Sequence, residues 1–272
     1  MKPEIIPNMS NRAYHAHHAL GSTSLKTLAT RTPAHWRYER DNPVHKAAFD
    51  IGTAAHSLIL EGDTSGVIIV DAPDWRTKAA KEAKDEAAAV GKIALLEKEW
   101  TPIQAMHASV MRHPDARAAL TNHKAEQSVF WEEDGLSLKC RPDAWQPGKL
   151  WDLKTTINAS PNDFGKTAHN FGYHQSAAHY IDGVKELTGE ELPFGFILVE
   201  KTAPYLVSVV ELDWEAIDYG RQLNDRAKRI YRECADSGNW PGYPATEPIA
   251  LPNFAIYEMD ELLGNTDLEL TI

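Results

Sequence analysis

Apolar positions along the chain switch between a period of two and a helical period, and the switches mark the elements. Gln127-Ser128-Val129-Phe130-Trp131 reads as a strand, Asp134-Gly135 as a hairpin turn and Leu136-Ser137-Leu138-Lys139-Cys140 as the return strand. Gln146-Pro147-Gly148 is a second turn, and Leu150 to Thr155 is a third strand. Before this three-strand core the spacing is mostly helical. Ser22-Thr23-Ser24 is a candidate N-cap for a helix that stops near Thr32-Pro33, and Ala34 to Arg40 is a second short helix. Ala47 to Leu60 predicts a helix whose Gly52, Ala54 and Ala55 admit a close neighbour. Val67 to Val70 is a short strand, Lys78 to Val90 a solvated helix and Ala94 to Arg112 another helix, with a further turn from Pro114 to Leu120.

After the core a loop leads to a helix from about Tyr173 to Leu187, stopped by Gly189. Phe194 to Val199 and Tyr205 to Leu212 are two more strands, joined at Ala203-Pro204, and Trp214 to Ala235 is a long amphipathic helix. The first 21 residues read as a loose segment, 22–243 as one α/β domain with a helical N-terminal part, and 244–272 as an irregular acidic tail. No repeat or flexible linker divides the chain.

Composition narrows the class. With 43% apolar and 25% charged residues in 272, the chain can bury a sizeable core. No apolar run approaches the ~20 residues that span a bilayer, and the N-terminus lacks a signal-peptide core. Cys140 and Cys234 are the only cysteines, so no disulfide framework or four-cysteine cluster is possible, and a reduced cytoplasm is the simplest setting. A formal charge of −11 argues against non-specific coating of nucleic acid. It leaves a local DNA channel open, since Asp260, Glu261, Asp267 and Glu269 put acid in the tail.

The candidate chemistry lies where the third strand begins. Arg141-Pro142-Asp143 ends one run, and in Trp151-Asp152-Leu153-Lys154-Thr155-Thr156 the next acid, Asp152, comes nine residues past Asp143. Side chains alternate along a strand, so Asp152 and Lys154 share a face while Leu153 points to the core. Asp143, from the neighbouring antiparallel strand, can complete a carboxylate pair. Two hard oxygen donors suit Mg²⁺ or Mn²⁺, and an adjacent lysine can orient the attacking water and offset charge on a phosphate. The plain alternative is a same-face Asp152–Lys154 ion pair worth under about 1 kcal/mol.

Five motifs occur in a fixed order: Gly52-Thr53-Ala54-Ala55-His56, Ala125-Glu126-Gln127-Ser128-Val129-Phe130-Trp131, Cys140-Arg141-Pro142-Asp143, Trp151-Asp152-Leu153-Lys154-Thr155-Thr156 and Tyr173-His174-Gln175-Ser176-Ala177-Ala178-His179-Tyr180. Together they resemble the RecE-type (exodeoxyribonuclease VIII) exonuclease family of the PD-(D/E)XK superfamily, near RecB nuclease domains and lambda exonuclease. The resemblance runs from about Ser22 to Tyr243. It implies a PD-(D/E)XK core with a central mixed sheet flanked by helices, and Mg²⁺ (Mn²⁺ substituting) as cofactor. Asp143, Asp152 and the Leu153 carbonyl would be ligands and Lys154 the catalytic lysine, with His56 and Glu126 near the metal. Gln175 would meet the scissile region or the lysine, and Tyr180 the DNA backbone. Asp replaces the more frequent Glu before x-Lys, shortening that arm by one methylene.

The resemblance further implies double-stranded DNA ends as substrate, a ring-like homo-oligomer, a single-strand annealing protein as partner, and a phage or prophage origin in a bacterial cytoplasm. Ser24, Lys26 and Arg31, with Ser22, stand at a helix start suited to a 5′-phosphate. Bland readings stay open beside these: N-capping by Ser22 or Ser24, a core histidine at 56, a strand-end acid at 126, packing at Tyr180. His15, His17 and His18 read as a loose tract. His107 with His113, and His174 with His179, are spaced poorly for a zinc site. No Gly-x-Ser-x-Gly elbow and no phosphate-binding Gly-Lys-Ser/Thr loop is present.

Overall fold

The computed structural model describes residues 2–7, 9–43, 47–244 and 248–265, with the backbone alone over 47–50. In chain order these form β1 (Glu4–Ile6), α1 (Asn11–Ala16), α2 (Ser22–Thr30), α3 (Pro33–Asp41), α4 (Ala47–His56), β2 (Val67–Val70) and α5 (Lys78–Ala89). Next come β3 (Ile93–Leu96), α6 (Glu97–Arg112), α7 (Pro114–Ala119), β4 (Lys124–Ala125), β5 (Ser128–Glu133), β6 (Leu136–Cys140), β7 (Ala144–Gln146) and β8 (Lys149–Thr156). The chain continues through α8 (Pro161–Phe171), α9 (Tyr173–Thr188), β9 (Phe194–Glu200), β10 (Val207–Glu211), α10 (Trp214–Ser237) and α11 (Asn253–Leu263).

The central sheet has the order β10-β9-β8-β7-β4, with β8 parallel to β9 and the remaining pairs antiparallel. Period-two alternation in β8 sends Trp151 and Leu153 to one face, where they pack with Ile103, Met106 and Val110 of α6 and with Ala54 and Ala55 of α4. Leu150 goes to the other face, against Phe164 of α8 and Ala177 and Ile181 of α9. Helices therefore cover both faces of a mixed sheet, the expected α/β architecture. No helix among the described residues is long and apolar enough to cross a membrane.

Several expectations are corrected. The three strands of the expected core divide between two sheets: β8 lies in the central sheet, beside the short strand β7 that was not expected, whereas β5 and β6 join β1 in a separate one. Asp143 lies one residue before β7, outside any strand. Helix α6 starts at Glu97, because the Glu99 carboxylate reaches back to the Leu96 N–H at 2.9 Å, and Ile93–Leu96 instead pairs in parallel with β2. The expected loop after Thr156 contains α8, opened by Pro161 and closed by Gly172 in the left-handed region.

The N-terminal segment is not loose. β1 pairs with β5, Tyr14 of α1 is buried, and buried Lys139 donates to the carbonyls of Tyr14 and His17. The tail is not wholly irregular either, since α11 begins directly after Pro252. Asp267 and Glu269 lie outside the described residues.

Candidate active site

The site forms where the β4–β7 ladder opens into the β5–β6 hairpin. Residues 126–128 and 141–143 drop out of the pairing, yet register is unchanged, with Ala125 facing Ala144 on one side and Val129 facing Cys140 on the other. Pro142 brings no N–H to a ladder at this point. Glu126 takes φ +52°, a left-handed conformation costing a side chain roughly 1–2 kcal/mol, and its N–H donates to the Asp143 carbonyl at 3.1 Å. The gap leaves Leu153 of β8 without a backbone partner on that side. Asp143 takes the place of one: its Oδ2 accepts the Leu153 N–H at 2.7 Å.

On β8, Asp152 and Lys154 form the expected same-face ion pair, with Asp152 buried and Lys154 partly open. His56 ends α4 and faces Asp143, with Nδ1 3.7 Å from Oδ2. The Leu153 backbone is near enough to the same imidazole to favour its charged form slightly. Beyond His56 the helix widens into a π turn over Ser57–Glu61, a feature frequent at functional sites. One ligand atom from each of His56, Glu126 and Asp143 lies within 4.8 Å of the other two.

The electrostatics of these groups are unbalanced. Burial, then Asp152, holds the Asp143 carboxyl well above its ordinary range. Burial pushes Glu126 up to about 7 against the pull of Arg141, whose Nη1 is 3.8 Å away, and Glu61 at the end of the π turn adds to the rise. His56 is lowered to about 4 by burial and the Lys154 ammonium, so its imidazole is neutral. Burial pulls Lys154 down, but Asp152 and Asp143 outweigh it and hold the ammonium above its usual value. Two carboxyls and a neutral imidazole in one cluster, with too little positive charge beside them, suit a divalent cation with a preference for oxygen donors.

Residues 21–248 match the PDDEXK-like domain of unknown function (DUF3799). The chain belongs to this family. The fold is shared with the "Putative exonuclease" of Eubacterium rectale, at 14% identity and a TM-score of 0.60, covering 94% of this chain and 98% of that one. LHK-Exo in complex with dAMP is a weaker likeness, at 13% identity and a TM-score of 0.23 over 71% of this chain and 96% of that one. No curated protein matches the sequence. PD-(D/E)XK nucleases use divalent metals, and the His56–Glu126–Asp143 cluster of this PDDEXK-like chain fits that chemistry.

The other expected residues of the PDDEXK-like domain divide into those at the site and those away from it. Lys26 is at the site: its Nζ donates to the Phe171 carbonyl at 3.4 Å, and burial, followed by the Lys154 charge, lowers it to about 8. Tyr180 is buried and its hydroxyl is raised by burial, with Tyr14, Asp152 and Asp143 adding to the rise and the Ser22 side chain opposing it. Arg31 turns away into an ion pair with Glu39. Ser24 is half-buried inside α2, whose N-cap is Gly21 rather than Ser22 or Ser24. Gln175 is buried with Nε2 unpartnered, and the residue found packed against Lys154 is Tyr173, whose ring centroid is 5.0 Å from Nζ.

Among the histidines, His17 stacks on His18, His113 caps α7, and buried His179 bonds the Lys139 carbonyl at 2.9 Å. None of them joins a metal cluster among the described residues.

Three contributors were not assigned roles from sequence. Arg141 is buried, donates to Ser128 Oγ and to the Met9 carbonyl, both at 2.9 Å, and lies 4.1 Å over the Tyr14 ring. Tyr173 supports Lys154. Glu61 reaches Glu126 electrostatically because a π turn brings round residues five apart. Arg141 and Tyr173 both fall inside the quoted motifs, which was the available signal.

Proposed function

We propose that the protein is a Mg²⁺-dependent, RecE-type deoxyribonuclease that digests one strand of duplex DNA from its 5′ end and leaves 3′ single-stranded tails. The observation that carries this reading is the meeting of Asp143, Asp152 and Lys154 with His56 and Glu126 at the opened ladder. Asp143, Glu126 and His56 would hold the cation, with Asp152 and the Leu153 carbonyl beside them. When bound, the cation would polarise the phosphate and make a water a better nucleophile. Lys154, kept positive by two aspartates, donates to that water or to a phosphate oxygen and offsets the charge that builds there. Water attacks phosphorus, the 3′-oxygen leaves, and the Tyr173 ring keeps the ammonium in place. The motif resemblance and the name of the E. rectale neighbour support action at ends.

Duplexes labelled separately at 5′-phosphate, 5′-hydroxyl and 3′ ends test the reading. Mg²⁺-dependent shortening from the 5′ end, abolished by EDTA and absent on closed circles, is the expected result. Cutting of closed circles would make the protein an endonuclease, and binding of ends with no metal-dependent digestion would make it a non-catalytic DNA-end-binding protein. The same resemblance implies a ring of identical subunits and an annealing partner, for which mass in solution and co-purification are the direct tests.

A further inference from the structure

One aromatic side chain beside the reacting groups is left largely open to solvent. Phe171 closes α8 and is 62% exposed, which gives up most of the hydrophobic gain of burying so large a ring. Its ring stacks on Tyr173 with centroids 5.6 Å apart and planes 20° from parallel. Tyr173 is backed in turn by buried Phe196 at 5.9 Å and 29°, and it carries Lys154 Nζ at 5.0 Å. A ladder of rings thus rises from the core and ends in an open face, one ring removed from the lysine of the site.

The corner that presents this ring is fixed. Gly172 has φ +63°, and a Cβ added there would come within 2.7 Å of Lys26 Cδ, so the Lys26 chain lies across the α8–α9 junction. Its ammonium bonds the carbonyl of Phe171 itself. An open aromatic face with one ammonium on its own backbone and another one ring away has the chemistry of single-strand recognition, in which bases stack on aromatics and cations follow the phosphates. Apolar protein partners are matched less well, because they would bring no anion to the two lysines.

We propose that Phe171 is a stacking platform for a nucleobase of the DNA strand held at Lys154, so that the base beside the scissile phosphate leaves its duplex partner to lie on this ring. The proposal rests on the nuclease reading above. The test uses the full-length protein and oligonucleotides with an unpaired 5′ end, with affinity measured by anisotropy in EDTA and kcat and KM measured in Mg²⁺. Phe171→Ala should weaken binding and raise KM about tenfold, while Phe171→Tyr and Phe171→Trp stay within about twofold of the natural protein. A single abasic nucleotide moved along the 5′ end should reproduce the loss at one position in the natural protein and add nothing in Phe171→Ala.

Unchanged affinity and KM in Phe171→Ala, or losses from the abasic site and the substitution that multiply at every position, would overturn the platform and leave the nuclease reading intact. No DNA binding and no digestion by the unsubstituted protein would remove both. Melting temperature separates a folding defect from a lost contact. If Phe171→Ala melts lower, Phe171→Leu, which keeps an apolar side chain without an aromatic face, takes its place: it should show the same loss and the same insensitivity to the abasic site, and unchanged affinity and KM in it would overturn the platform.

Discussion

Replacing Glu126 with glutamine should stabilise the metal-free protein at alkaline pH, the reverse of what removal of an ion-paired acid usually does. Burial raises this carboxyl from 4.5 to about 7, even with Arg141 3.8 Å away. The folded chain therefore holds the Glu126 proton more tightly than the unfolded chain. Stability from this group is full below pH 4.5, is lost as pH rises towards 7, and is flat beyond. At about 1.4 kcal/mol per pH unit the loss would be roughly 3 kcal/mol. Because the side chain is 32% exposed, screening reduces it to about 1–2 kcal/mol.

Glutamine copies the neutral acid, and the raised value already contains the attraction of Arg141, so losing that ion pair does not reverse the sign. In EDTA, melting curves of Glu126→Gln and natural protein should nearly coincide at pH 4.5. At pH 8.5 the variant should melt about 2–6 °C higher. Mn²⁺ should then raise the natural protein more than the variant, since only the former gains the full ligand set. Equal destabilisation of the variant at both pH values would refute this reasoning and make Glu126 a plain anchor for Arg141.

Lys154→Met leaves buried Asp152 without its counter-ion; cleavage should fall at least about 100-fold and stability by about 3 kcal/mol, and retained turnover in a gel assay would reject the site. Gly172→Ala meets both a left-handed backbone and Lys26 Cδ at 2.7 Å. A loss of about 1–3 kcal/mol is expected by denaturant titration, with Lys26→Ala in the same chain relieving the steric part but not the backbone part. Tyr14→Leu removes the ring that Arg141 and Lys139 both face, at 4.1 and 4.7 Å. It should cost about 2–3 kcal/mol and weaken Mn²⁺ binding in a titration, because Arg141 then loses part of its seat beside Glu126.

The part of the site legible in the sequence is local. Alternation alone puts Asp152 and Lys154 together and Leu153 in the core, since a strand fixes direction by parity. Asp134-Gly135 announces its turn because both residues take positive φ, 47° and 78°, which this pair tolerates well. The opening of the ladder was not legible, because register runs through it unbroken and Pro142 is the single local sign. Tyr14 reaches Arg141 from more than a hundred residues away, and the polar run from Ser10 to His18 gives no hint that two cations will seat on its aromatic ring. Helix α8 was hidden by Asn162, Asp163, Gly165 and Asn170, residues that on their own read as loop; it buries only Phe164 and Ala168.

A raised carboxyl is not in itself a metal site, and the fold supplies its own control. Asp182 is also raised by burial, yet it accepts from Arg221 Nε at 2.9 Å and belongs to a chain of surface ion pairs through Glu191, which is itself lowered by Lys185 and Arg221. There the acid and its cation meet in hydrogen-bonding geometry and little is left over. At the opened ladder the partners of Asp143 are an N–H and a neutral imidazole, the cation nearest Glu126 stands off at 3.8 Å, and Lys154 is engaged with Asp152. If the Asp152–Lys154 pair were only structural, Asp143 and Glu126 would gain by being neutral residues of similar shape. As acids facing one imidazole they suit a divalent cation, and adding one should stabilise this protein more at pH 8 than at pH 5.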